Sequence, residues 1–81
     1  MKVGVYSLKQ VLYQGEAVSL NCKTKAGEIT VLDNHRPLIG ILEAGAIKIV
    51  DEKGISEIPV SSGFLEVRMG NDVRCIVDGL Q

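Results

Sequence analysis

A chain of 81 residues makes one domain, near the size at which a single hydrophobic core becomes marginal. With 46% hydrophobic residues and a formal net charge of −1 it is too apolar to be disordered. Its nine lysines and arginines are scattered among ten acids, so no basic stripe forms that could bind nucleic acid.

The elements follow in chain order as short alternating strands. Residues 2–7 set Val3 and Val5 on one face, and residues 7–13 are the one stretch that reads as a helical turn. Residues 16–23 place Val18, Leu20 and Cys22 inward against Ala17, Ser19 and Asn21 outward. Residues 38–42, Leu-Ile-Gly-Ile-Leu, differ by being apolar on both faces. Such a strand is either covered within the core or lies under a partner, and Gly40 allows a close backbone approach there.

The second half repeats the alternation. Residues 46–50 set Ile47 and Ile49 against Lys48, and residues 55–60 set Ile58 and Val60 against Ser56 and Glu57. Residues 64–69 bury Leu65, Val67 and Met69, and residues 72–77 bury Val73, Cys75 and Val77. Turn residues recur about every ten positions: Gln14-Gly15, Ala26-Gly27, Asp33-Asn34, Ala44-Gly45, Lys53-Gly54, Ser62-Gly63 and Gly70-Asn71-Asp72. The expected fold is all-β, one domain over residues 1–81, a two-sheet antiparallel β-sandwich of about ten short strands. Its core is aliphatic, because the chain holds just Tyr6, Tyr13 and Phe64 as aromatics.

Enzymatic chemistry finds little support. His35 is the sole histidine, and neither Cys22 nor Cys75 sits in a glycine-rich or helix-start context that would activate a thiol. Both cysteines fall on apolar faces and read as buried free thiols, with a cross-strand disulfide as the alternative. No second ligand lies at a metal-binding spacing from His35, Gly-rich phosphate loops are absent, and neither catalytic nor metal residues nor a cofactor is expected. Asp51-Glu52 reads as a solvated hairpin tip rather than an acid/base pair. His35 is either a turn cap bonding nearby backbone or a contact residue on a rigid corner, since Pro37 forces Arg36 into an extended conformation. Two other readings remain open: phosphate carried on His35, and a free-standing β-sandwich ligand-binding module, which would need a concave pocket. No run reaches the ~18 apolar residues of a spanning helix, and no signal-type apolar segment opens the chain.

The ordered motifs carry a resemblance. Val11-Leu-Tyr-Gln-Gly-Glu16, Ala26-Gly-Glu28, Val31-Leu32, His35-Arg-Pro-Leu38, Gly45, the Ile-Lys-Ile strand, Asp51-Glu-Lys-Gly54 and Ser62-Gly-Phe-Leu-Glu-Val67 follow in sequence. Together they resemble the N-terminal β-sandwich domain of the F-type ATP synthase epsilon subunit (delta in mitochondria), over residues 1–79. Thr24, Thr30 and Asp33-Asn34 depart from the glycines and the Pro-Gly step usual there; Asn34 tolerates left-handed φ, so the corner is expected to survive. The family normally continues into a two-helix hairpin that regulates hydrolysis, and nothing of that hairpin is carried over to this chain.

The resemblance implies a non-catalytic central-stalk rotor subunit that couples proton or sodium transport with ATP synthesis. It implies the gamma subunit and the c-ring as partners, without membrane insertion, at the cytoplasmic face of a bacterial inner membrane as part of the F1 sector. Matching positions put Ser7, His35, Leu38, Gly40 and Leu42 towards gamma, and Lys25 and Glu28 on a loop facing the c-ring. On that reading Leu42→Asp weakens docking and spares the fold, whereas loss of the fold would place the strand in the core.

Overall fold

The computed structural model describes residues 1–78; residues 79–81, the end of the expected domain, lie outside the described residues. Nine strands occur among the described residues, and no helix. They are β1 (Lys2–Tyr6), β2 (Val11–Glu16), β3 (Ser19–Thr24), β4 (Gly27–Leu32), β5 (Leu38–Leu42), β6 (Gly45–Asp51), β7 (Gly54–Val60), β8 (Gly63–Arg68) and β9 (Asp72–Val77). The period-two pattern accounts for them: alternate apolar side chains can be buried together only on an extended, pleated backbone.

The strands join in the order β2-β1-β9-β8-β5-β3-β6-β7, with β4 on the far side of β3. Two layers result, β2-β1-β9-β8-β5 and β4-β3-β6-β7. They are one sheet folded over rather than two separate sheets, because β5 and β3 pair at Thr24 and Leu42. A second difference from the expected antiparallel sandwich is that β1 runs parallel to β9, Val3 opposite Val73 and Val5 opposite Cys75. A parallel pair needs a long crossover, and here nearly the whole chain supplies it. Between the layers lies an aliphatic core in which Val5, Leu20, Val31, Ile47, Ile49, Leu65 and Cys75 are fully buried.

Three local expectations change. Val18 is 60% exposed and Ala17 is buried, the reverse of the expected phase. The chain passes between layers at this step: Ala17 N–H donates to Met1 O (2.8 Å), and Val18 N–H to Val50 O (2.7 Å). That crossing resets the alternation before β3 begins. Met69 is exposed because β8 ends at Arg68, ahead of a turn with Asn71 at φ 62°. Residues 7–13 form no helical turn. Ser7 Oγ accepts from the Lys9 and Gln10 amides (3.3 and 3.2 Å), closing a tight turn, and β2 starts at Val11.

Cys22 and Cys75 are free and buried, and burial pushes their thiols up to about 11 and about 12. Thiols held protonated in a closed core do not react. A maleimide at pH 8 should therefore leave the native chain unlabelled and modify both cysteines once denaturant is added. Rapid labelling of the native chain would show an open core.

One side-chain bridge crosses the open side of the sandwich. Tyr13 Oη on β2 donates to Asp51 Oδ2 at 2.6 Å, while Asp51 Oδ1 accepts from the Lys53 and Gly54 amides of the β6–β7 hairpin. The bond to the carboxylate raises the Tyr13 hydroxyl from its ordinary 10 to about 12; the same bond, with the two amides, lowers the Asp51 carboxyl. A raised tyrosine stabilises the fold below its unfolded pKa and loses that contribution as pH climbs from 10 towards 12. A lowered aspartate stabilises above its unfolded value, near 4, and loses it as pH falls. The melting-temperature gap between the parent and Tyr13→Phe should thus be widest between about pH 5 and 9 and close at both extremes. A gap independent of pH would mean that the bridge contributes nothing.

Candidate functional site

The outer face of the β2-β1-β9-β8-β5 layer carries an apolar rung. Register pairs Val11 with Tyr6, Tyr6 with Ile76, Ile76 with Phe64, and Phe64 with Ile41. Five neighbouring strands thus present one row, in which Val11, Ile76, Phe64 and Ile41 are each about half exposed and Tyr6 is partly so. Leu8, on the turn after β1, is 97% exposed beside it. Leu8, Ile41, Phe64 and Ile76, with Ser62 and Asp78, rim a shallow depression of about 340 Å³. Tyr6 lies flat over Gly4, where a Cβ would run into its ring, so the glycine allows the aromatic to fold along the strand.

The next row in register changes character. Ile39 stands opposite Glu66 and Glu66 opposite Arg74; the row beyond pairs Arg68 with Asp72, Asp72 with Lys2 and Lys2 with Glu16. Alternating charges of this kind solvate a face and favour no bound ion. On the other layer an outward row, Leu32-Ser19-Val50-Ile55, is interrupted by a hydroxyl at its second position. The rung through Phe64 is therefore the longest unbroken apolar row exposed among the described residues, and large apolar patches on a small domain mark interaction surfaces.

The sequence-derived residues distribute unevenly about it. Lys25 and Ala26 form the β3–β4 turn, both exposed, and Glu28 follows exposed on β4. Buried Thr24 holds the turn, its hydroxyl donating to Gly27 O (2.8 Å) and accepting from the Ala26 amide (3.1 Å). Lys25 N–H donates to Ile41 O (2.9 Å), which fastens this turn to the end of the rung. Ser7 adjoins Leu8, but its hydroxyl is engaged in its own turn.

The rest lie elsewhere. Leu42 is 2% exposed and belongs to the core. Of the two readings of residues 38–42, burial in the core holds for one face only: Leu38, Gly40 and Leu42 turn inward, whereas Ile39 and Ile41 turn outward and are exposed. Gly40 does not mark a close approach. A Cβ there would sit 3.5 Å from Thr24 Cγ2 and 3.8 Å from Leu38 Cδ1, ordinary contact distances. His35 caps its own corner, with Nδ1 2.7 Å from Arg36 O and its amide donating to Leu32 O (3.2 Å). Asn34, at φ 62°, donates to Asn71 Oδ1 (2.9 Å), and Asp33 Oδ1 accepts from the Met1 ammonium (2.8 Å). The His35 corner is thereby tied to the β8–β9 turn, at the opposite end of β5 from Lys25. Among the described residues no group of three His, Cys, Asp or Glu is placed to hold a metal.

Sequence reasoning missed Phe64 and Ile76. The available signal was an apolar residue at the solvent phase of its strand: Phe64 alternates with Leu65, and Ile76 with Cys75 and Val77. Only the register between strands reveals that these out-of-phase residues line up.

The family model described as ATP synthase, delta/epsilon chain, beta-sandwich domain matches residues 1–80. An ATP synthase epsilon chain of Acinetobacter baumannii (strain SDF) is 41% identical over 69 residues, 84% of this chain and 50% of that one. The epsilon chain of Vesicomyosocius okutanii is 36% identical over 66 residues, 82% of this chain and 48% of that one. This chain thus spans about half the length of the curated relatives it matches. In fold it is similar to a chain of the Euglena gracilis mitochondrial ATP synthase (TM-score 0.88, 20% identity, covering 98% of this chain and 51% of that one). It is likewise similar to a chain of the Tetrahymena thermophila mitochondrial ATP synthase central stalk and c-ring (TM-score 0.84, 16% identity, covering 99% of this chain and 64% of that one).

Proposed function

This chain belongs to the ATP synthase delta/epsilon β-sandwich family, and from that premise we propose that it is a non-catalytic part of the rotor. In this reading it docks on the gamma subunit of an F-type ATP synthase, presents the Lys25–Glu28 turn to the c-ring, and transmits torque between proton or sodium transport and ATP synthesis. It works at the cytoplasmic face of a bacterial inner membrane, peripheral, within the F1 sector.

The observation that carries the proposal is the rung Val11-Tyr6-Ile76-Phe64-Ile41. A coupling part needs a stiff body with a greasy side: a close-packed aliphatic core deforms little, and apolar burial holds a partner through rotation better than exposed ion pairs, each worth little and screened by salt. The rung leads at one end to Ile41, whose carbonyl holds the Lys25 turn. Gamma contact and ring-facing turn are thus joined through one strand end, a direct mechanical path. Of the residues first assigned to gamma, Ser7 adjoins the rung, whereas Leu38, Gly40 and Leu42 support it from the inner face of β5. His35 would meet gamma only if the interface extends along the whole of that strand.

Binding to a purified gamma subunit tests this. Phe64→Ala should weaken the complex by about tenfold or more, as loss of a central aromatic anchor does, and leave the melting temperature nearly unchanged because the ring is 58% exposed. Unchanged affinity would remove the rung from the interface. For the ring-facing turn, Glu28→Lys in an assembled synthase should lower proton-coupled ATP synthesis without lowering the domain's melting temperature. A large loss of stability would contradict the placement of Glu28.

A further inference from the structure

A second surface lies where the folded-over sheet fails to close. Among the described residues β2 is the terminal strand of the sheet and pairs with β1 alone. The direction of its backbone groups follows from its end: Ala17 and Met1 exchange both bonds, Ala17 N–H to Met1 O (2.8 Å) and Met1 N to Ala17 O (3.0 Å). An antiparallel ladder alternates bonded and non-bonded pairs, so Gly15 and Tyr13 also turn their N–H and C=O groups towards β1. Gln14 and Glu16 therefore turn theirs away, and no other strand among the described residues meets them.

Those groups face a cleft of about 460 Å³ between β2 and the β6–β7 hairpin, lined by Tyr13–Glu16 on one wall and Asp51–Ser56 on the other. The Tyr13–Asp51 bridge joins the two walls. The cleft is lined by Glu16, Asp51 and Glu52 against the cation Lys53, and Glu16 also stands 3.7 Å from the Met1 ammonium, which leaves the wall acidic chiefly at Asp51 and Glu52. Native proteins blunt exposed edges with proline, lysine or other charges. The edge strand β7 has Pro59 and β4 has exposed Glu28, whereas β2, VLYQGE, has neither proline nor lysine and its one charge is at its end. An undefended edge bordering an acidic cleft suits recognition by strand addition, in which main-chain bonds supply affinity and side-chain charge supplies selectivity.

We infer that the free edge of β2, at Gln14 and Glu16, is a docking site for an extended basic segment of a partner protein, which pairs with β2 and lays its cations between Glu16 and the Asp51-Glu52 hairpin tip. This surface is distinct from the apolar rung and does not depend on the rotor reading.

The test is titration of the isotope-labelled 81-residue chain with a capped hexapeptide of alternating valine and lysine, followed by amide shifts and hydrogen exchange. Saturable shifts and slowed exchange centred on Gln14 and Glu16 are expected. They should vanish when the peptide is N-methylated along one edge or when glutamate replaces its lysines. Gln14→Pro removes an outward N–H without touching the β1 ladder, as proline is tolerated on edge strands. It should weaken binding by about tenfold, the effect of one lost hydrogen bond. Should that variant not fold, Glu52→Lys on the exposed hairpin tip carries the test through reduced affinity at low salt. Absence of saturation, equal binding of the N-methylated peptide, shifts centred on β4, β7 or Phe64, or unaltered affinity in Glu52→Lys would each overturn the inference.

Discussion

Leu42→Asp should abolish the cooperative unfolding transition of this domain at pH 7 and 25 °C. The side chain is 2% exposed and lies where β5 joins β3, the seam that makes two layers into one sheet. An unpaired carboxylate buried there costs several kcal/mol, on top of about 2–5 kcal/mol for the lost apolar side chain. Domains of this kind have only about 5–15 kcal/mol in total, and small ones sit low in that range. The sign with pH is also defined. Burial favours the neutral acid, so the deficit is full at neutral pH and shrinks as the medium is acidified. Circular dichroism and thermal melts check it. By contrast Ile41→Asp, one residue earlier and 48% exposed, should keep the transition and lose affinity for gamma. A well-folded Leu42→Asp would move β5 out of the core and return Leu42 to the docking surface.

The second large effect is expected at Gly63. This residue begins β8 at φ 154°, between Leu42 on β5 and Val77 on β9. A Cβ there would run into the Ile76 carbonyl oxygen and stand 2.9 Å from Val77 Cα, both backbone atoms that cannot swing aside. Gly63→Val therefore combines a disfavoured backbone conformation with overpacking, about 3 kcal/mol or more together. For a domain of this length that lowers the melting temperature by about 15 °C. Gly54→Ala provides the contrast, since no atom lies within 4 Å of its added methyl at φ 136°. Its cost is the backbone term alone, about 1–3 kcal/mol, with no overpacking added. Equal losses at the two glycines would refute the steric account of Gly63.

These expectations separate what could be read along the chain from what could not. Residues such as Leu20, Val67 and Val73 alternate with polar neighbours, and Val3, Val5, Ile47, Ile49 and Leu65 keep the same two-residue phase, a pattern visible one strand at a time. The left-handed Asn34, the Gly54 hairpin and the two buried cysteines were legible for similarly local reasons. The family, too, was legible, because its motifs keep their order and spacing over nearly the full chain.

The residues that carry the proposed interface were not. Leu42 and Ile41 look alike in a run with no polar marker, and only the pairing of Leu42 with Thr24 decides which one is buried. Val18 changes sides because the chain crosses between layers at Ala17, an event with no local signature. Phe64, Ile76, Tyr6 and Val11 become one surface through cross-strand register, and β2 becomes an open edge because, among the described residues, no strand but β1 pairs with it.

By itself, then, the sequence determined an aliphatic all-β domain, most of its inner faces and its kinship. Period-two patterning is a property of neighbours along a strand, and burial selects it directly. Which exposed residues stand together, which face of β5 is free and where the sheet remains unclosed were decided by tertiary structure alone. Those depend on hydrogen-bonded partners many residues apart, whose alignment no single strand records.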